Sequence, residues 1–222
     1  MILCIEDVLS AGDLEAIRGE IARSGFRDGR ATAGWSARRV KNNLQMEAGD
    51  PCYERVAGRI TAALRANEVF MQAALPRALR PPLISRSDVG MGYGRHMDDA
   101  LMGEPYVRTD LAYTLFLSAP DAYEGGELVI ESASGELDFK LAAGGLVLYP
   151  ATYLHKVEIV RAGTRLVAVG WAQCCVRDAG RRELLFDLQR ARRMVLADTG
   201  GGEAFDLMSK ACGNLLRLWS EV

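Results

Sequence analysis

One short stretch of the sequence, Tyr93-Gly94-Arg95-His96-Met97-Asp98, places two metal-binding side chains, His96 and Asp98, two residues apart. The stretch ends a glycine-rich segment of β type. In an extended strand, residues i and i+2 point to the same face, so the imidazole and the carboxylate converge on one point. Asp99 faces the other way, which favours Asp98 over its neighbour as the second ligand.

The chain contains one other histidine, His155, which follows a predicted hydrophobic strand at residues 145–149. In a rolled antiparallel sheet this residue can lie opposite His96 and Asp98. Two imidazoles and one carboxylate form the facial triad that is typical of non-haem iron(II) oxygenases, although zinc competes for such ligands on affinity alone. The sequence therefore predicts a catalytic metal site formed by His96, Asp98 and His155.

Arg165 lies ten residues after His155 and begins another predicted strand. A guanidinium offers a fixed fork of donors that pairs with both oxygens of a carboxylate. A 2-oxo acid that chelates iron and carries a second carboxylate requires such an anchor. Standing alone, Arg165 is more simply interpreted as a surface residue at a strand end; its spacing from His155 favours the anchor.

These residues belong to a β-rich region that begins near Pro82. Its runs are short and glycine-broken, and they predict strands at residues 83–89, 111–117, 127–130, 136–141, 145–149, 156–160 and 165–173. Short strands at close spacing with turn signals are typical of a sandwich or barrel and not of βαβ units.

Helical patterns flank the β-rich region. Ser10 is the predicted N-cap of a helix that ends near Gly25, and Asp50-Pro51 opens a second helix. Residues 36–46, between them, are predicted to form a strand. Beyond Arg177, apolar residues at helical spacing predict two more helices. We thus expect a helix-rich segment at 1–77, a β core at 78–175 and a helical extension at 176–222.

The bulk composition limits the possible partners and location. The 222 residues are 49% hydrophobic and 25% charged, with a formal net charge of −2. No basic field indicates a nucleic-acid or membrane partner, and no apolar stretch approaches the ~18 residues of a membrane span. The N-terminus lacks the basic region of a signal peptide. Five cysteines without CxxC spacing favour free thiols in a reducing compartment, so we expect a cytoplasmic protein.

The set of motifs resembles the double-stranded β-helix oxygenases that use iron(II) and 2-oxoglutarate. The closer resemblance is to the PKHD-type hydroxylases of the prolyl-4-hydroxylase-like branch, and it extends from about Leu79 to Gln173. The residues that carry it are Tyr93 to Asp98, Arg108-Thr109-Asp110-Leu111, Thr114-Leu115-Phe116-Leu117-Ser118, Tyr123-Glu124-Gly125-Gly126-Glu127-Leu128, Leu146-Val147-Leu148-Tyr149-Pro150, Leu154-His155 and Arg165.

The resemblance implies an α+β fold. Its core is a double-stranded β-helix (jelly-roll or cupin-like), with the N-terminal helices packed on it and a C-terminal helical extension. It also implies that His96, Asp98 and His155 ligate Fe(II) and that Arg165 binds the 5-carboxylate of 2-oxoglutarate. Tyr93 and Thr164 are further candidates for binding this co-substrate, although Tyr93 is equally well interpreted as a strand-packing residue.

The implied reaction is hydroxylation of an unactivated C–H bond, with 2-oxoglutarate converted to succinate and carbon dioxide and L-ascorbate as a supporting cofactor. A binding or sensing protein without turnover, linked to iron acquisition, and a structural barrel without metal are the alternatives. The substrate is a small molecule or a peptidyl side chain such as proline or lysine; a siderophore-type compound is another possibility.

Three peripheral features have weaker interpretations. Residues 99–106 form a candidate lid over the metal site. The apolar stripes of the helical extension suit either packing on the core or a homo-oligomer. Trp35 and Trp171 are interpreted as core residues and not as substrate contacts.

Overall fold

The computed structural model describes residues 1–221 of the chain. Within these residues the chain forms five α-helices and seventeen β-strands. The helices are α1 (Ala11–Arg23), α2 (Pro51–Ala66), α3 (Glu68–Ala74), α4 (Ala179–Thr199) and α5 (Glu203–Trp219). None of the helices in this range is long and apolar enough to cross a membrane.

The strands are short, and most have between two and six residues. In chain order they are β1 (Leu3–Ile5), β2 (Phe26–Asp28), β3 (Lys41–Asn42), β4 (Leu44–Met46), β5 (Pro76–Leu79), β6 (Leu83–Ser87), β7 (Gly92–His96), β8 (Leu101–Met102), β9 (Val107–Arg108), β10 (Leu111–Phe116), β11 (Tyr123–Gly125), β12 (Leu128–Ser132), β13 (Gly135–Phe139), β14 (Leu146–Pro150), β15 (His155–Val157), β16 (Val160–Gly163) and β17 (Arg165–Cys174).

Two antiparallel sheets form the β core. The major sheet has eight strands in the order β1-β14-β10-β17-β6-β4-β2, with β5 paired to β17. The minor sheet has five strands in the order β13-β12-β15-β7-β3. The pairs β11-β16 and β8-β9 form separate two-stranded ribbons. Residues of both sheets line a single cavity, which therefore lies between them.

Alternation along the central strands divides the interior into two layers, because successive side chains of a strand point to opposite faces. On β10, Tyr113 and Leu115 join a core with the buried faces of α1, α2 and α3. Ala112 and Phe116 join a second cluster on the opposite face, with Leu128 of the minor sheet. Burial of each large apolar side chain stabilises the fold by roughly 1.5–3 kcal/mol. The helices therefore cover one face of the major sheet and leave the other for the cavity.

The predicted helix starts are confirmed by their caps. The Ser10 hydroxyl accepts a hydrogen bond from the Asp13 amide at 3.1 Å, and the Asp50 carboxylate accepts one from the Cys52 amide at 2.8 Å. Helix α1 ends at Arg23, two residues before the predicted position near Gly25, because the Ser24 amide donates to the carbonyl of Ile21. Such caps satisfy backbone groups that have no partner within the helix.

Two predicted strands differ from the structure. Residues 36–46 do not form one strand: Ala37–Arg39 make a 3-10 turn, and only β3 and β4 are extended. The run at 156–160 is divided between β15 and β16. The N-terminal segment, predicted as helix-rich, also supplies β1 to β4 and the first residues of β5 to the two sheets. Strand β3 pairs with β7 and so reaches the cavity.

The C-terminal helices α4 and α5 contact each other, and α4 also contacts α3. Gly200 adopts a left-handed conformation (φ 70°) and caps α4, which glycine does at little steric cost. Arg193 of α4 lies 3.7 Å from the carboxylate of Glu68. The helical extension is thus continuous with the N-terminal helices and lies away from the residues that line the cavity.

Candidate metal centre

The two histidines are brought together by strand pairing. In the minor sheet β7 and β15 are antiparallel neighbours, and His96 is paired in register with His155. Their ring centroids are 4.3 Å apart. One donor atom each from His96, Asp98 and His155 lies within 4.8 Å of the others, so the structure places the three predicted ligands around one point.

Backbone carbonyls fix which nitrogen of each imidazole faces the metal position. His96 Nδ1 lies 2.8 Å from the carbonyl oxygen of Gly94, and His155 Nδ1 lies 3.1 Å from that of Tyr153. A carbonyl oxygen only accepts hydrogen bonds, so Nδ1 of each ring carries the proton and Nε2 is left as the ligand atom. Burial, with a smaller effect from His155, lowers the pKa of His96 to about 3, which keeps this ring neutral.

Asp98 supplies the only buried carboxylate among the described residues that line the cavity. Its side chain is 8% exposed, and Oδ1 lies 3.8 Å from His155 Nε2. Its other oxygen, Oδ2, has no hydrogen-bond partner among residues 1–221. Burial raises the pKa of this carboxyl group. A buried anion with an unsatisfied oxygen is unfavourable unless a cation compensates it.

The donor set fits a divalent first-row metal ion. Two imidazole nitrogens and one carboxylate oxygen on one side of an ion leave positions open on the other, as in the facial triad of non-haem iron(II) oxygenases. Asp99 is exposed and lies directly against Gly34, which leaves Asp98 as the carboxylate of the group.

Arg165 is the most deeply buried charged residue of the cavity, with 2% of its surface exposed. It begins β17, and its guanidinium carbon lies 5.8 Å from the centre of the Phe116 ring. Two of its nitrogens, Nε and Nη2, have no hydrogen-bond partner among residues 1–221. Burial lowers the pKa of this guanidinium, and Tyr123, Tyr149 and Glu127 oppose this effect only in part. Unpartnered donors on a buried cation fit a carboxylate ligand.

The two other residues predicted to bind the co-substrate, Tyr93 and Thr164, have different positions relative to the cavity. Tyr93 lines the cavity and stacks on His96 with ring centroids 3.6 Å apart, so it helps to hold the His96 imidazole in its orientation. The Thr164 hydroxyl instead donates to the carboxylate of Asp88 at 2.9 Å, and Thr164 is not among the residues that line the cavity. Thr164 lies between β16 and β17, and the next residue, Arg165, lines the cavity. Co-substrate binding by Thr164 stays a prediction.

Several polar residues of the cavity were missed in the sequence. Lys41, Asn43 and Gln45 are each buried and line the cavity, on the segment that contains β3 and β4. Their spacing of two residues within a predicted strand was the available signal. It carried little weight because nothing in the sequence links this segment to β7, about fifty residues later. Trp171 also lines the cavity, whereas Trp35 is 83% exposed, so its interpretation as a core residue was wrong.

The predicted lid at residues 99–106 contains β8 and the turn that leads to β9, and its Met102 lines the cavity. Arg80 donates a hydrogen bond to the carbonyl of Met102 at 3.0 Å, and its guanidinium packs against Gly103. A Cβ at Gly103 would overlap this guanidinium. The hairpin of β8 and β9 is thus held in place by Arg80, which lies between β5 and β6.

Comparison with known proteins places the site in a family. The sequence profile of the 2OG-Fe(II) oxygenase superfamily matches residues 83–173, which include the three ligands and Arg165. Proteins named PKHD-type hydroxylase from Synechococcus sp. (strain JA-3-3Ab) and Gloeothece citriformis are 50% and 47% identical to this chain. Each alignment covers 100% of both chains.

Solved structures agree on the fold. A prolyl-4-hydroxylase from Pseudomonas putida has a TM-score of 0.54 and 18% identity, and it covers 78% of this chain and 92% of its own. A prolyl hydroxylase from Trichoplax adhaerens has a TM-score of 0.56 and 15% identity, with 82% and 86% covered. The predicted α+β class with a double-stranded β-helix core is confirmed. By its full-length similarity, the chain belongs to the PKHD-type hydroxylases of the 2OG-Fe(II) oxygenase superfamily.

Proposed function

We propose that this protein hydroxylates an unactivated C–H bond of an organic substrate, with conversion of 2-oxoglutarate to succinate and carbon dioxide. One observation carries the proposal: a single cavity holds both the triad of His96, Asp98 and His155 and a buried arginine with free donors, Arg165. A metal site alone would suit many proteins. The arginine adds a second binding point that a dicarboxylic oxo acid requires.

The residues divide the task between them. His96, Asp98 and His155 would hold iron(II), which when bound supplies the centre at which 2-oxoglutarate and oxygen react. Arg165 binds the far carboxylate of the co-substrate and so orients its 2-oxo end toward the ligands. Leu128 and other buried apolar side chains between the sheets exclude water from this part of the cavity. Exclusion of water strengthens the charge pairing that positions the oxo acid.

The experiment is an anaerobic titration of the purified protein with iron(II) and 2-oxoglutarate, followed by admission of oxygen with candidate substrates. We expect succinate release to rise when a substrate is present. Small molecules, peptides with proline or lysine, and siderophore-type compounds form the first panel. Tight uptake of both iron and 2-oxoglutarate with no succinate from any substrate would favour a sensor over an enzyme.

We further propose that L-ascorbate supports turnover and that the protein works in the cytoplasm. The family resemblance supports the first, and the five free cysteines support the second, because unpaired thiols suit a reducing compartment. Ascorbate should increase the number of turnovers before activity is lost, with little effect on the initial rate. Localisation can be measured by fractionation of the source cells.

We also propose that the helical extension joins two copies of the chain. Large apolar side chains on α4 and α5 are exposed, among them Leu184, Met194 and Leu218 at 62%, 65% and 76%. Exposed apolar side chains on two helices that pack together offer surface that a second copy can cover. Light scattering should give twice the chain mass, and Leu218→Glu should return the protein to a monomer.

A further inference from the structure

Lys41 is a buried cation that the proposed reaction does not use. It lies on β3 at the edge of the minor sheet, opposite Tyr93 of β7, and is 4% exposed. Its Nζ donates to the Thr32 hydroxyl at 3.0 Å. No carboxylate of residues 1–221 lies within 4.0 Å of Nζ, the limit for an ion pair. A buried ammonium without an ion-pair partner is unfavourable and calls for a compensating group.

The position of Lys41 is close to the metal ligands. Its Nζ lies 5.3 Å from the centre of the Tyr93 ring, which in turn stacks on His96 at 3.6 Å. These two spacings place Nζ within about 9 Å of the His96 ring centre. Both Lys41 and Thr32 line the same cavity as the triad. A ligand of a few non-hydrogen atoms can thus contact Lys41 and reach the metal position.

Arg165 and Lys41 have different neighbours in the cavity. Arg165 lies against Phe116 and Gly126, whereas Lys41 lies against Thr32 and Tyr93. The co-substrate carboxylate assigned to Arg165 is therefore not the partner that we assign to Lys41.

The charges of the loaded site lead to the same conclusion. The charged residues that line the cavity are Lys41, Asp98, Asp99 and Arg165. Iron(II) and 2-oxoglutarate carry opposite charges of equal size and cancel. The buried residues of this set are then two cations, Lys41 and Arg165, and one anion, Asp98, while Asp99 is exposed to solvent, which screens its charge. One positive charge of the buried set is therefore not balanced.

We propose that the Lys41 ammonium binds a carboxylate of the substrate, so that the substrates of this enzyme are organic acids. The proposal rests on the proposed function, because it assigns 2-oxoglutarate to Arg165. Burial lowers the pKa of Lys41 to about 8, and Asp98 and Asp28 oppose this effect only in part. That response is expected of a cation whose surroundings do not balance its charge.

The test uses acetate and acetamide as probes, since they have nearly the same shape and differ in charge. Anaerobic protein loaded with iron(II) and saturated with 2-oxoglutarate is titrated with each, and binding is followed by calorimetry and by the visible absorption of the iron–2-oxoglutarate complex. We expect the wild type to bind acetate at least tenfold more tightly than acetamide. Lys41→Met should abolish this preference, and Lys41→Arg should retain it.

Lys210→Met is the matched control, because it removes an ammonium from an exposed position on α5. It should keep the full preference for acetate. Equal affinity of the wild type for the two probes would overturn the proposal. This comparison needs no variant, so it tests the proposal even if Lys41→Met fails to fold. An acetate preference that survives in Lys41→Met would also overturn it.

The affinity for 2-oxoglutarate distinguishes a failure of the inference about Lys41 from a failure of the proposed function. Lys41→Met should bind 2-oxoglutarate with a dissociation constant within threefold of the wild type. A rise above tenfold would assign Lys41 to the co-substrate and overturn the inference while the proposed function stands. A wild type that forms no complex of iron and 2-oxoglutarate would instead contradict the proposed function itself.

Discussion

His96 and His155 lie opposite each other on neighbouring antiparallel strands, with ring centroids 4.3 Å apart, although fifty-nine residues separate them in the sequence. The pairing of β7 with β15 sets this distance. Each ring is held from behind by a backbone carbonyl that accepts from its Nδ1. The metal site is thus preorganised by the minor sheet, and Asp98 completes it from the residues that directly follow β7.

Replacement of Asp98 with alanine should remove most of the affinity for iron(II). Asp98 supplies the only carboxylate of the donor group, and its Oδ2 has no partner among the described residues. We expect affinity to fall by more than about 100-fold, the upper end of the loss seen when a second-sphere partner is removed. Asp99→Ala, at the adjacent exposed position, is the control and should bind iron as the wild type does. Similar affinities for the two variants would contradict the ligand assignment.

Replacement of Arg165 with methionine should weaken 2-oxoglutarate binding and leave iron binding intact. Truncation of one partner of a buried, hydrogen-bonded charge pair typically costs 2–5 kcal/mol, so the dissociation constant should rise by roughly 30-fold or more. Arg161→Met, on the exposed face of β16, removes the same charge outside the cavity and should have little effect. Unchanged 2-oxoglutarate affinity in Arg165→Met would show that the co-substrate is anchored elsewhere.

The pKa of His96 makes the stability of the metal-free protein depend on pH. This pKa is about 3 in the folded protein and 6.5 for the free side chain. Below pH 6.5 the unfolded chain gains a proton that folded His96 does not take up, so this contribution to stability is complete above pH 6.5 and is lost as the pH falls toward 3.

Between pH 7 and pH 4, the free energy of unfolding of the wild type should therefore decrease by roughly 3 kcal/mol more than that of His96→Gln. Urea denaturation at the two pH values gives both quantities. Parallel decreases in the two proteins would mean that His96 titrates normally in the folded state.

Two glycines test the packing around the major sheet. A Cβ at Gly170 of β17 would overlap the ring and hydroxyl of Tyr113, its register partner on β10. Gly170→Ala should therefore destabilise the protein by about 1–3 kcal/mol. Gly58 lies on the exposed face of α2 with no atom within 4 Å of an added Cβ, so Gly58→Ala should stabilise it by about 0.5–1 kcal/mol. Thermal unfolding measures both, and shifts of the same sign would contradict this packing.

Local signals in the sequence were sufficient for the helices and for the chemistry of the site. Ser10 and Asp50 mark helix starts through side-chain hydrogen bonds that involve residues two or three positions away, so a single sequence displays them. The spacing of His96 and Asp98 likewise follows from strand geometry alone. The position of His155 relative to them was expected from the rolled sheet and is explained by the pairing of β7 with β15.

Features that depend on distant pairing could not be predicted in the same way. Lys41 reaches the cavity because β3 pairs with β7. Strand β1, at the start of the chain, joins the major sheet by pairing with β14, which lies near the end of the β core in the sequence. No local pattern specifies such partners. The position of Thr164 depends in the same way on a distant contact, because its hydroxyl donates to Asp88, which is far away in the sequence.

An anaerobic titration with iron(II), with and without 2-oxoglutarate, tests the central claim most directly. We expect one iron(II) per chain, one 2-oxoglutarate bound only when the metal is present, and a visible absorption band that requires both. Loss of the band in Asp98→Ala and a higher 2-oxoglutarate requirement in Arg165→Met would accompany this result. Binding of 2-oxoglutarate with equal affinity in the presence and absence of iron would contradict the account.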